Sequence, residues 1–98
     1  MTDPQFADSS IDHYVEAVRK RLSTRYVQGQ ACDGYIRTRM NGLGHLIEIT
    51  INREAMAGWP ASRIDKGIVD AVNEAAYKAE EMRALENTKA VEEYAAGD

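Results

Sequence analysis

At 98 residues, 44% apolar and 29% charged, the chain is the size of one domain with one core and has a globular composition. The single cysteine, Cys32, excludes an internal disulfide and fits a reducing, intracellular setting, and no apolar run approaches the length of a membrane span. The net charge of −4 hides an uneven distribution: nine cationic side chains stand against eight acidic ones up to residue 66, and three against eight beyond it.

Residues 1–8 are polar and carry Pro4, which reads as a disordered arm with neither the basic nor the apolar region of a signal peptide. Ile11, Tyr14, Val15, Val18 and Leu22 then fall on one helical stripe. A helix is expected from about residue 10 to about 23, capped by Ser9 or Ser10. Its polar face carries Glu16, Arg19 and Lys20, with Arg21 on the flank. Tyr26 to Cys32 reads as a first strand, closed by the turn pair Asp33-Gly34.

The stretch GYIRTRMNGLGHLIEITI has the strongest pattern in the chain. Ile36, Thr38 and Met40 point one way, and Tyr35, Arg37 and Arg39 the other. After Asn41-Gly42-Leu43-Gly44, Ile47, Ile49 and Ile51 alternate with Leu46, Glu48 and Thr50. Period two with β-branched residues predicts a half-buried antiparallel pair whose register a one-residue slip would destroy. An irregular bridge, Asn52 to Trp59, leads to Pro60, suited to a first helical turn. From there one long helix is expected to run to about residue 94, with an apolar stripe at Ile64, Ile68, Val72, Ala75, Ala79, Met82 and Leu85, widened by Val69 and Ala76. Gly67 inside it costs about 1 kcal/mol relative to alanine, which close packing would explain. The order is helix, three-stranded meander, long helix, and the two open sheet edges invite a second copy.

No catalytic constellation emerges. His13 and His45 lack partners at ligand spacing, Cys32 reads as a packed thiol, and the Gly42–Gly44 loop precedes no helix N-terminus that could hold a phosphate. Glu80-Glu81 and Glu92-Glu93 read as solvated helix surface. What remains is a basic group, Arg19, Lys20, Arg21, Arg25, Arg37 and Arg39, rich in the guanidinium that suits phosphate. With only Tyr26 and Tyr35 nearby, it suits duplex backbone contact better than base stacking.

Taken in order, the run VQGQACDGYIRTRMNGLGHLIEITI, a bridge, and IVDAVNEAAYKAEEM resemble the YbaB/EbfC nucleoid-associated proteins. The matching positions are Gly29, Gly34, Ile36, Thr38, Asn41, Gly42, Ile47, Ile49 and Ile51 in the strands. In the helix they are Val69, Ala71, Asn73, Ala75, Ala76, Lys78 and Ala79. The first helix is shorter than is usual in that family, and VEEYAAGD stands where a Gly/Met/Pro-rich tail is common. The resemblance implies an α+β subunit of order α-β-β-β-α, a single domain over residues 9–95 with a tail at 96–98, and a homodimer with projecting helical arms. It also implies duplex DNA as partner, bound with little sequence preference, a cytoplasmic, nucleoid location in a bacterium, no cofactor, no metal and no enzymatic activity. Arg19, Lys20, Arg21 and Arg25 are the leading expected DNA contacts, with Arg37 and Arg39 from the outer sheet face and Lys78 and Arg83 from the long helix. Ile36, Met40, Ile47, Ile49, Ile51, Ile64, Ile68 and Val72 are expected to build the core and dimer surface. The competing expectation is a dimeric interaction protein, with a secretion-associated adaptor as one form, that docks a protein partner through its acidic long helix and makes no contact with a membrane.

Overall fold

The structure, a computed structural model, describes residues 4–96, with side chains described from His13 onward. Its elements are α1 (Pro4–Ser23), β1 (Tyr26–Ala31), β2 (Ile36–Asn41), β3 (Leu46–Ile51) and α2 (Ala61–Ala96). The strands form one antiparallel sheet in the order β1-β2-β3. This is the expected α-β-β-β-α order. Helix α1 begins at Pro4 rather than near residue 10, so residues 4–8 of the expected arm belong to the helix. Proline's fixed φ and missing N–H suit a first turn. Residues 1–3 of that arm, and the expected tail beyond Ala96, lie outside the described residues.

The β1–β2 connection differs from expectation in its chemistry. Cys32 and Asp33 carry the positive φ values, 56° and 57°, with Gly34 following at 84°. The Gly34 and Tyr35 N–H groups donate to the Ala31 and Cys32 carbonyls at 3.1 and 3.0 Å. The turn therefore starts one residue earlier than the Asp-Gly pair indicates. In β2–β3 the strict alternation is broken by a bulge: Arg39 faces Glu48, but Met40 faces Leu46, which leaves Ile47 as the extra residue.

Helix α2 lies across β1 and β2 on a ridge of small residues. Gly67, Ala71, Ala75 and Ala79, each four apart, are buried. Gly29 of β1 sits directly beneath them: a Cβ there would lie 2.0 Å from the Ala71 carbonyl oxygen and 2.7 Å from the Ala75 nitrogen. The Thr38 hydroxyl fits the same gap and donates to the Ala71 carbonyl at 2.8 Å. A Cβ on Gly67 would meet the Cys32 Sγ and Ile36 Cδ1, both at 2.7 Å, so close packing does account for that glycine.

The expected α2 stripe is corrected accordingly. Helix and sheet approach too closely for large side chains between them, so Ile64, Ile68 and Val72 flank the ridge half-buried, while Leu85 and Val69 face solvent. Ile36 packs with Met56 and Ala71, and Met40 with Ala75 and Ala79, as the two core clusters under the helix. Ile51 joins the first of these half-buried. Ile47 and Ile49 do not enter the core of this chain. They are 46% and 40% exposed because α2 covers β1 and β2 and leaves β3 bare.

Beyond the sheet, α1 runs antiparallel along the distal part of α2. Val18 and Leu22 pack on Ala90, and the Tyr14 and Tyr94 rings meet edge to face at 5.4 Å. The result is a rod 68 Å long with a radius of gyration of 19.0 Å. A compact chain of this length would have a radius of about 13 Å. The helical arm projects, as the length of α2 requires.

Gly29→Ala forces a methyl group into backbone atoms that cannot yield independently. The expected outcome is a loss of about 3 kcal/mol in urea denaturation, with the helix pushed off the sheet.

Candidate nucleic-acid interface

The basic residues divide among three settings. The first is a junction where α1 ends, the β2–β3 turn begins and α2 leaves the sheet. Asn41, buried, organises the turn: its Oδ1 accepts from the Leu43 and His45 N–H groups, both at 3.0 Å. Gly42 then inserts against α1. Its N–H donates to the carbonyls of Leu22 and Arg25, both at 2.9 Å, adding a bond from the hairpin to the end of α1, where the Arg25 N–H already reaches the Leu22 carbonyl at 3.3 Å. A Cβ on Gly42 would meet the Leu22 Cδ2 and carbonyl oxygen at 2.8 Å and the Met82 Sδ at 3.0 Å. Positive φ belongs to Gly44, at 88°; Gly42 is required for space.

Four expected contacts are engaged in the structure around these elements. Arg21 Nε and Arg25 Nη1 donate to the two oxygens of the Glu86 carboxylate, at 3.0 and 2.7 Å. The Glu86 side chain is only 8% exposed, whereas the two arginines are 39% and 53% exposed. Two cations around one buried carboxylate clamp α1 to α2 and remain partly solvated themselves. Arg83 Nη1 donates to the Gly42 carbonyl at 3.1 Å. Lys78 Nζ donates to the Gln28 carbonyl of β1 at 2.8 Å and pairs with Glu74 at 3.2 Å.

The second setting is the outer face of the sheet. Arg37 is exposed, with Nε donating to the Gly34 carbonyl at 3.1 Å. Arg39 lies 5.2 Å from the centre of the Tyr26 ring, with its Nε buried and without a hydrogen-bond partner. The third setting is the polar face of α1, where Arg19 and Lys20 stand exposed and make no ion pair among the described residues. The structure thus joins Arg21, Arg25 and Arg83 at one junction, sets Lys78 against β1, and places Arg19 and Lys20 on α1 and Arg37 and Arg39 on the outer sheet face.

Sequence reasoning missed Glu86, which it did not single out. Its position two turns before the terminal Glu92-Glu93 pair carries no local mark of burial. It also missed Arg63, stacked 3.9 Å from the Trp59 ring centre. On the exposed side of α2, the hydrogen bond that Lys66 donates to Asp70 raises the Lys66 pKa, and one with Glu81 raises that of Tyr77. Both are ordinary surface pairs. Among the described residues, no three His, Cys, Asp or Glu side chains come together as they would to hold a metal ion, and no helix is long and apolar enough to cross a membrane.

The shared carboxylate makes the two arginines non-additive. Arg21→Ala and Arg25→Ala are each expected to cost about 1 kcal/mol in thermal or urea denaturation. The double replacement leaves Glu86 buried without a cation and should exceed the sum of the singles by about 1 kcal/mol or more.

A search of curated protein sequences finds no match. Among solved structures, the fold is similar to that of uncharacterized protein HP0035 from Helicobacter pylori. The likeness has a TM-score of 0.67 and covers 79% of this chain and 89% of that one at 16% identity, a level at which it concerns the fold alone. The sequence profile of the YbaB/EbfC DNA-binding family matches residues 9–94, nearly the whole chain and every element of the fold. The chain belongs to the YbaB/EbfC DNA-binding family.

Proposed function

We propose that this chain binds duplex DNA as a homodimer, mainly through the phosphate backbone and with little sequence preference, in the cytoplasmic nucleoid and without catalysis. Membership of a DNA-binding family carries the reading. What supports the phosphate mode is the state of the cations. Arg19 and Lys20 are exposed and unpaired among the described residues, and Arg37 is exposed on the outer sheet face. Contacts of this kind supply affinity without reading bases. Arg21 and Arg25 keep unused N–H donors beyond those given to Glu86, so they add charge to the same end of α1. Arg39, Lys78 and Arg83 are supporting contacts in this reading.

The dimer rests on β3. It is an edge strand whose Leu46, Ile47 and Ile49 are 44%, 46% and 40% exposed. A second copy covering this strip removes three large apolar side chains from water and blunts an open edge. Ile51, Ile64, Ile68 and Val72, half-buried around the core, border the same surface in this reading.

A second reading has its own support. The distal part of α2 is acidic and exposes Leu85 and Val91 at 73% and 67%, which suits a dimeric adaptor, secretion-associated or otherwise, that docks a protein partner.

Titration with a duplex at two salt concentrations separates the two. The DNA reading expects affinity to fall steeply with salt, by a log–log slope of about 0.9 per phosphate neutralised. Replacing Arg19 and Lys20 with alanine should lower that slope by about 2. Replacing Arg21 and Arg25, already engaged by Glu86, should lower it less. No salt-sensitive binding would leave the adaptor. Independently, Ile49→Glu is expected to convert a dimer to a monomer in sedimentation equilibrium; an unchanged mass would move the interface away from β3.

A further inference from the structure

The helical arm contains a cleft of about 480 Å³ whose apolar walls the DNA reading does not use, although Arg19 and Arg83, which also line it, are among the contacts of that reading. It runs between α1 and α2, from Leu43 and Arg83 beside the sheet to Tyr14 and Tyr94 towards the arm's far end. Its walls are almost entirely apolar, and some are costly to leave wet: Val15 is 48% exposed, Val91 67% and Tyr94 38%. Two helices alone cannot close this surface, since each packs a single stripe on the other.

Charge is what selects an occupant. Among the described residues, the charged side chains lining the cleft are Arg19 and Arg83, and no carboxylate lines it, although the chain as a whole is acidic. Arg83 is anchored at the sheet end through its bond to the Gly42 carbonyl, which uses one of five guanidinium N–H donors and leaves others available. Arg19 lines the same cleft from α1, one turn before Leu22. Asn87, one turn beyond Arg83, adds an amide. The cleft therefore has an apolar length and two cations in its lining, one of them anchored at the sheet end. Its volume lies within the range of small-molecule sites, roughly 300 to 1,000 Å³.

We propose that this cleft binds a free fatty acid of medium chain length, with the carboxylate held by Arg83 and Arg19 and the alkyl chain lying between the valines and tyrosines. Charge-assisted hydrogen bonds supply orientation, and burial of methylene groups supplies affinity.

The test is a fluorescence titration of the full chain with dansyl-labelled undecanoic acid, followed by displacement with dodecanoate below its micellar concentration. The expected result is saturable binding of one probe per chain, displaced by dodecanoate. Dodecanol, of the same length and uncharged, should displace it at least roughly tenfold less well, as the loss of a charge-assisted bond requires. Arg19→Glu should weaken binding by roughly tenfold or more, and Val91→Glu should abolish it. Both replaced side chains are exposed, and circular dichroism of each variant establishes that the helices are retained. Absence of saturable binding by the unmodified chain overturns the proposal. So does binding that both variants leave unchanged, which would assign the probe to the bare β3 strip. A change in oligomeric mass on Val91→Glu, with no probe bound by either form, also overturns it and makes a second copy the occupant.

Discussion

The fold depends on how closely α2 can approach the sheet. Gly29 under Ala71 and Ala75 brings helix backbone within contact distance of strand backbone, and Thr38 converts that proximity into a hydrogen bond to a helix carbonyl. An approach this close has a fixed lateral position. The small-residue ridge must lie over β1, with β2 beside it, and the ridge has no breadth to spare for β3. The bare isoleucines at the sheet edge are thus a consequence of tight packing elsewhere. A broader, looser contact built on leucines would have covered all three strands and left no edge to offer.

The same placement determines the far half of the molecule. A 36-residue helix seated on a three-stranded sheet overshoots it by several turns, and the overshoot needs a companion. α1 supplies it, held at one point by the Gly42 turn, the Glu86 carboxylate and the Val18–Leu22–Ala90 contact. Each answers a different need. The glycine N–H bonds carbonyls at the end of α1, the carboxylate pairs with two arginines, and the apolar trio buries surface between the helices. This is why the hairpin turn, which carries no chemistry of its own, is nonetheless tightly constrained.

Charge is used in two currents along the arm. Arginines nearest the junction are drawn inward to Glu86 and to a backbone carbonyl, where they maintain architecture. Arg19 and Lys20, immediately before Arg21 on α1, remain exposed. A basic cluster that reads as continuous along the chain is therefore divided by the fold into structural cations and available ones. Electrostatic attraction of DNA by the whole cluster is still felt within a Debye length of about 8 to 10 Å. Close contact, however, falls to the outward members.

Hydrophobic periodicity and turn chemistry by themselves determined the order of elements, the strand pairing and the length of α2, because these depend on neighbours along the chain. The strict alternation of Ile36 to Met40 and Ile47 to Ile51 and the proline before α2 were enough for that. The residues matching a known family indicated its membership for the same reason, being spaced by local geometry. Tertiary structure alone decided which stripe of α2 is buried, because alanine and glycine win only where two backbones meet, and Ile64 or Leu85 looks equally suitable until the distance is known. It also decided that Glu86 is a buried clamp, that Ile47 is the residue of a bulge and that Arg21 and Arg25 share a carboxylate 61 to 65 positions away. Those outcomes depend on contacts between distant segments, which no window along the sequence contains.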